Sequence, residues 1–315
     1  MGLEKAVVIH RRTGLDELIR RHATLSQVRF YLESRGESFE NYVAADSAYK
    51  DGMKKTLAGI PRGMRIEQVE KEFLGTYQFS DKDLIIVAGD DGLLVNTAKY
   101  AQAQPVIFVN TDTERFDGVL ASCTPTEFEM LAKSYLGEPW ALEYHTMAEA
   151  QLEDGQVLYA LNDLFIGKRN HSSSRYTIKH IGKSEKQSTS GIIVSTGTGS
   201  SGWLTSIIRG ARGIVDALEE KVEERKNEAL FPYDAPYLVY SVREPFSSKI
   251  TGTKLVYGKV CDSQPLEIVS HMPENGIIFS DGIENDCLEF TAGKKVTIQP
   301  AKMQVGIVKL KKGTT

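Results

Sequence analysis

The chain alternates short, wholly apolar runs with stretches whose apolar residues recur every three to four positions. "KAVVIH" is a β-branched apolar run and predicts a buried strand close to the start. In "LDELIRRHATLSQVRFYLESRG", Leu15, Leu18 and Ile19, and then Val28, Tyr31 and Leu32, keep helical spacing, and Gly36 supplies a stop. Residues 37 to 80 are mixed and charged, with helical stretches expected around "DGMKKTLAGI" and "RIEQVEKEFLG". "KDLIIVAGD" predicts the second strand, "GLLVNTAKYAQA" a short helix and "QPVIFVNTD" the third strand. Strands that alternate with helices predict a doubly wound, mostly parallel sheet.

Near residue 140 the pattern changes. "WALEYHTM", "GQVLYALNDLFIG", "SRYTIKHIG" and "SGIIVSTGTG" are strand-like and punctuated by Gly, Ser and Asn. A long helical stretch begins at "SSGWLTSIIRG" and ends in the charged run "KVEERKN", read as a solvated helix face. From "PYLVYSVREP" to "QVGIVKLKK" the chain is short strands between turns. The expected organisation is an α/β domain over 1–140 and a β-rich domain over 141–315, with the C-terminal tail able to pack back on the first. No internal repeat and no low-complexity linker interrupts it.

Composition narrows the classes. The 315 residues are 41% hydrophobic and 25% charged, which is globular and long enough for two cores. A formal net charge of -4 leaves no global basic field for nucleic acid. Cys123, Cys261 and Cys287 are far apart and odd in number, so they suit a reducing cytoplasm better than a disulfide framework or a metal site. "MGLEKAVVIHRRTG" has no signal-peptide core, and no run approaches the ~18 apolar residues of a membrane span. A soluble, cytoplasmic protein without membrane partners is expected. His10, His22, His145, His171, His180 and His271 show no metal-ligand spacing and read as packing or surface residues.

Three stretches carry candidate chemistry. "AGDDG" lies at the carboxyl end of a predicted strand, where doubly wound sheets bind ligands. Its glycines and the following helix start suit phosphate, so Asp90 or Asp91 would need a task such as taking a proton or holding Mg²⁺; capping the helix is the alternative. "ALNDLFIG" places Asn162 beside Asp163, a donor–acceptor pair suited to ribose hydroxyls, or simply a turn. "STGTGSSGW" interleaves Ser195, Thr196, Thr198, Ser200 and Ser201 with Gly197, Gly199 and Gly202 ahead of a helix. It matches neither the Walker pattern nor the three-glycine dinucleotide fingerprint, and suits a polar or phosphorylated ligand or a flexible turn.

In this order the three stretches resemble the NAD kinase family, whose members carry a Gly-Gly-Asp-Gly-Thr turn, an Asn-Glu pair and a Thr-Pro-Thr-Gly-Ser-Thr-Ala-Tyr-like loop. The likeness is nearest to the mitochondrial-type branch, through "VNTDTERFDGVL", "ALNDLFIG" and "TGTGSSGW", and it spans roughly residues 80 to 210; "REPF" and "FSDG" are weaker echoes. The resemblance implies phosphoryl transfer from ATP to the ribose 2′-hydroxyl of NAD, with Mg²⁺ bridging the ATP phosphates and no protein metal ligand assigned. It makes Asp91 the catalytic base or orienting carboxylate at that hydroxyl and leaves room for phosphates at Gly89 and Gly92. Asn162 and Asp163 would hold the ribose and adenine end, and Thr196, Thr198, Gly199, Ser200, Ser201 and Trp203 would line the dinucleotide pocket. Asp90, Asn110, Ser190 and Ser206 complete the implied nucleotide-binding set. A homodimer or homotetramer is implied in the same way. The departures are Asp90 for Gly, Leu93 for Thr, Asp163 for Glu, and Ser190 where many bacterial members have Asp. They keep two other readings open, a related kinase with a lipid or sugar acceptor and a nucleotide sensor disabled by Asp90 and Leu93.

Overall fold

The computed structural model describes residues 3–101, 104–137, 141–219 and 230–309. The chain forms two compact units, one made of residues up to Glu143 together with those from Val305 onward, the other Tyr144–Gln304. In chain order the first unit holds β1 (Lys5–His10), α1 (Gly14–His22), α2 (Leu25–Glu33), α3 (Phe39–Ala58), β2 (Arg65–Glu70), β3 (Asp83–Gly89), α4 (Asp91–Ala98), β4 (Val106–Asn110) and α5 (Phe128–Gly137). Its sheet runs β2, β1, β3, β4, all parallel, with Val7 opposite both Glu67 and Ile85 and Val87 opposite Phe108. The end of the last strand joins beside β4, parallel, at Ile307 and Val106. β3 and β4 are buried at every position, as strands covered on both faces must be.

Two expectations are corrected here. "RIEQVE" is not helical but the edge strand β2, followed by a 3₁₀ segment Lys71–Thr76. Its Glu, Gln and Arg favour helix locally, but parallel pairing along the whole of β1 satisfies its backbone and overrides that preference. The first helical stretch is two helices, broken at Ala23, whose φ of 65° and N–H bond to Ile19 O close α1. Thr24 then caps α2 through the Gln27 N–H. The charged run "KVEERKN" lies outside the described residues.

The second unit holds most of β5 (Ala141–Leu152), then β6 (Val157–Ala160), β7 (Asp163–Lys168), β8 (Ser174–His180), β9 (Lys183–Thr189), β10 (Ile192–Ser195), α6 (Trp203–Glu219), β11 (Leu238–Val242), β12 (Tyr257–Val260), β13 (Leu266–Ser270), β14 (Gly276–Ser280), β15 (Ile283–Glu289) and the start of β16 (Lys295–Lys309). One antiparallel sheet runs β12, β11, β10, β7, β14, β15. In the other, β13 pairs with β16 and β8, and β8 with β9. Leu164, Ile166, Val194 and Ile278 of the first meet Tyr176, Ile178, Ile268 and Ile298 of the second in one core. The fold class is the expected one, an α/β part with a parallel sheet followed by a β-rich part. No helix among the described residues is long and apolar enough to cross a membrane.

Candidate functional site

In the first unit the site is the turn from β3 into α4. Asp90 is the helix N-cap, in extended backbone, and its Oδ1 accepts the Leu93 N–H at 3.0 Å. Its Oδ2 lies 2.9 Å from Arg11 Nε. Arg11 directly follows β1, the parallel neighbour of β3. Its backbone N–H donates to the Tyr49 hydroxyl at 3.0 Å, which in turn donates to Ala88 O at 3.1 Å. The first carboxylate of the turn is therefore an ion-paired cap. Left unpaired, it would repel a phosphate ~5 Å away by about 3 kcal/mol at an effective dielectric of 20.

Asp91, the first residue of α4, is arranged differently. Its Oδ1 accepts the Leu120 N–H at 3.0 Å, and its Oδ2 has no partner among the described residues. The other departure, Leu93, has only 1% of its surface exposed and fills the core beneath the turn. A Cβ placed on Gly89 would sit 2.8 Å from Leu93 Cδ2, so a larger residue there would have to displace the tip of Leu93. At Gly92 a Cβ would approach only Asp90 Oδ1, at 3.3 Å. Asn110, at the end of β4, is buried and organises the loop that follows: its Nδ2 donates to Phe116 O at 2.8 Å and its Oδ1 accepts the Asp112 N–H at 3.2 Å. That loop ends at Leu120, whose carbonyl accepts from Lys309 Nζ at 3.0 Å.

In the second unit the structure brings the Asn-Asp pair and the Gly-rich loop together. Thr196 N–H donates to Asn162 O at 2.9 Å, and the Thr196 hydroxyl to Leu161 O. Gly199 packs directly on the Asn162 carbonyl, leaving no space for a Cβ. Most hydroxyls of the loop are engaged in holding it. Thr198 Oγ1 bonds the buried His145 at Nδ1, 2.8 Å away, and Ser200 Oγ donates to Gly197 O at 2.7 Å. Ser206 Oγ donates to Gly202 O at 3.1 Å, and Ser201 is exposed. The loop is thus a built structure rather than a flexible turn.

Asp163 has a buried Oδ1 with no hydrogen-bond partner. Burial pushes its carboxyl up to about 7, the Ser195 side chain pulls it back, and the charge of Asp281 adds to the rise. Ser190 and Trp203 line a cavity of about 310 Å³ with Phe165, Lys168, Arg169 and Arg243. Trp203 lies parallel to Phe165 at 6.0 Å between centroids, and the Arg243 guanidinium sits 5.5 Å over the Trp203 ring. An aromatic wall with cations at its rim suits a planar ring carrying an anionic group. Glu244 and Glu284 also line this cavity and limit the charge it can take.

Three contributors carry no clear signal in the sequence. Arg11 is remote in sequence from the turn it pairs with, and parallel pairing of two predicted strands is the only signal for it. The Leu120 amide carries no side-chain signal at all. Asp281, in "FSDG", stands in a stretch that is only a weak echo. Among the described residues no three His, Cys, Asp or Glu side chains gather as a metal cage.

No protein-family model matches the chain. It is 26% identical over 338 residues to NAD kinase 2, mitochondrial, of Xenopus tropicalis, covering 80% of this chain and 77% of that protein. In fold it is similar to yeast NADH kinase, solved with NADH, at a TM-score of 0.59 and 15% identity, covering 99% of this chain and 85% of the other. It is likewise similar to an NAD kinase from Archaeoglobus fulgidus, solved with ATP, at a TM-score of 0.55 and 17% identity, covering 98% and 94%. Sequence over most of the chain and fold over nearly all of it bear out the resemblance to the NAD kinase family that the ordered motifs carry.

Proposed function

We propose that this chain transfers the γ-phosphoryl group of ATP to the 2′-hydroxyl of the adenosine ribose of NAD, giving NADP. The observation that carries this reading is the strand-to-helix turn, where Arg11 neutralises Asp90 and Leu120 ties one oxygen of Asp91 while the other is left available. Such a turn can accept a polyphosphate beside one reactive carboxylate. Asp91 Oδ2 takes the proton of the attacking hydroxyl, and the α4 start with Gly92 takes the phosphates, while Gly89 packs on Leu93. The pairing of Asp90 and the burial of Leu93 speak against the reading of a sensor disabled by these two residues.

The Mg²⁺ that accompanies ATP would need no ligand from this chain, Asp91 Oδ2 being kept for the hydroxyl proton. It would neutralise phosphate charge; positioning falls to the protein. Asn162 and Asp163 hold the ribose and adenine end, and the Phe165–Trp203 wall with Arg243 takes a further ring and its phosphate. Relatives named as mitochondrial stand beside three unpaired cysteines, which suit any reducing compartment, the cytoplasm included. A homodimer or homotetramer rests on the family resemblance alone.

Purified protein given NAD, ATP and Mg²⁺ is expected to form NADP, read with an NADP-specific coupling enzyme. Asp91→Asn keeps an acceptor for Leu120 N–H but no base, and is expected to lose roughly 10²–10⁴-fold in kcat while NAD still raises its melting temperature. Undiminished turnover by Asp91→Asn would overturn the role of Asp91, and absence of turnover in the unaltered protein would overturn the kinase.

A further inference from the structure

The turn between β14 and β15 places Asp281 in the left-handed region, at φ 56°, followed by Gly282 at φ 74°. The Asp281 carboxylate gathers three consecutive backbone amides. Oδ1 accepts the N–H of Asn162 at 2.8 Å and of Asp163 at 3.2 Å, and Oδ2 accepts the N–H of Leu161 at 3.2 Å. Its own N–H donates back to Asp163 O at 2.9 Å. From the other side, Thr196 occupies the carbonyls of Leu161 and Asn162. The main chain of 161–163 is held on both sides, while the side chains of its polar pair are spared: the Asn162 amide makes no hydrogen bond among the described residues and Asp163 Oδ1 is an orphan. Backbone fixed by a charge-assisted cradle with side-chain groups left unsatisfied is how a protein pre-organises a polar binding pair.

The Asp281 carboxylate holds these three amides although it stands beside buried Asp163, which it repels. An Asn or Gly tolerates the same backbone conformation without that cost. We propose that Asp281 is a positioning residue, whose carboxylate fixes the 161–163 backbone so that Asn162 and Asp163 meet the ribose and base of the dinucleotide in one geometry. This rests on the NAD kinase reading for the identity of the ligand, and on the geometry of the second unit alone for the positioning. Burial is the main influence that holds the proton on Asp163; Ser195 of β10 opposes it, and the charge of Asp281 adds to it.

Asp281→Asn tests it. The amide can still accept from one or two of the three N–H groups but carries no charge. We expect the KM for NAD to rise about tenfold with kcat within about threefold of the unaltered enzyme, and the Asp163 titration midpoint, followed by carboxyl carbon NMR without substrate, to move to lower pH. Asp281→Glu keeps the charge on a longer arm; it is expected to leave the Asp163 midpoint high while still raising KM, and it serves if Asp281→Asn does not fold. An unchanged KM together with an unchanged midpoint in Asp281→Asn would overturn the proposal. If the unaltered protein neither binds nor phosphorylates NAD, the kinase reading fails by itself; the midpoint shift still decides whether Asp281 acts on Asp163.

Discussion

Asp163 is the residue where burial and chemistry conflict most. The sequence offered it as a shortened stand-in for Glu beside Asn162; that it would be buried with an oxygen unpartnered was not legible, because burial of a polar side chain is decided by strands that pair around it. Its carboxyl, raised from 3.8 to about 7, binds a proton in the folded chain that the unfolded chain has already lost. Between those limits the folded state holds more protons, so stability falls as pH rises from about 4 to about 7 and then levels. At roughly 1.4 kcal/mol per pH unit crossed, the loss has a ceiling of roughly 4 kcal/mol. Asp163→Asn mimics the protonated form. It is expected to remove this slope and to be more stable than the unaltered protein at pH 8, measured by urea unfolding across pH. A slope that survives in Asp163→Asn would show that another group carries it.

At the scale of elements, strand β3, its turn and helix α4 were legible from an apolar run, Gly-Asp punctuation and the helical residues beyond. The partner of Asp90 was not. β1 and β3 run parallel in register, Ile9 opposite Val87, so the residues just past both strand ends become neighbours although they are far apart in sequence. "RIEQVE" misled for a related reason: an edge strand exposes one side, so its pattern lacks the apolar run of β3, and only pairing with β1 makes it a strand. Arg11 and Asp90 form a part-buried pair, with side chains 27% and 21% exposed, so their coupling is expected to be about 1 kcal/mol. Arg11→Ala should raise the KM for ATP severalfold by leaving Asp90 charged and unpaired beside the phosphates. In the Arg11→Ala background, Asp90→Ala should recover part of that loss, even though it removes the α4 cap at about 1 kcal/mol of stability. Strictly additive effects in this double-mutant cycle would show that the pair is not coupled.

At the scale of the whole molecule, the last strand serves both units. β16 pairs with β13 in the second unit through Ile298 and Leu266, and its final residues belong to the first, where Ile307 meets Val106. The sequence suggested a tail able to return, but not what it does there, since the contact joins residues 189 apart. Lys309 Nζ donates to Leu120 O at 3.0 Å and Ala121 O at 3.1 Å and lies 3.4 Å from Glu143. Leu120 is the residue whose N–H holds Asp91. The end of the chain therefore secures the segment that aims the proposed base. Lys309→Met keeps the aliphatic stem and removes the cation. It is expected to lower kcat by about 3- to 10-fold, leave the KM for NAD near its original value and cost about 1 kcal/mol of stability. A stability loss without any change in kcat would mean that the strand only closes the sheet. A kcat loss with KM preserved would mean that Asp91 is aimed by a residue at the far end of the chain.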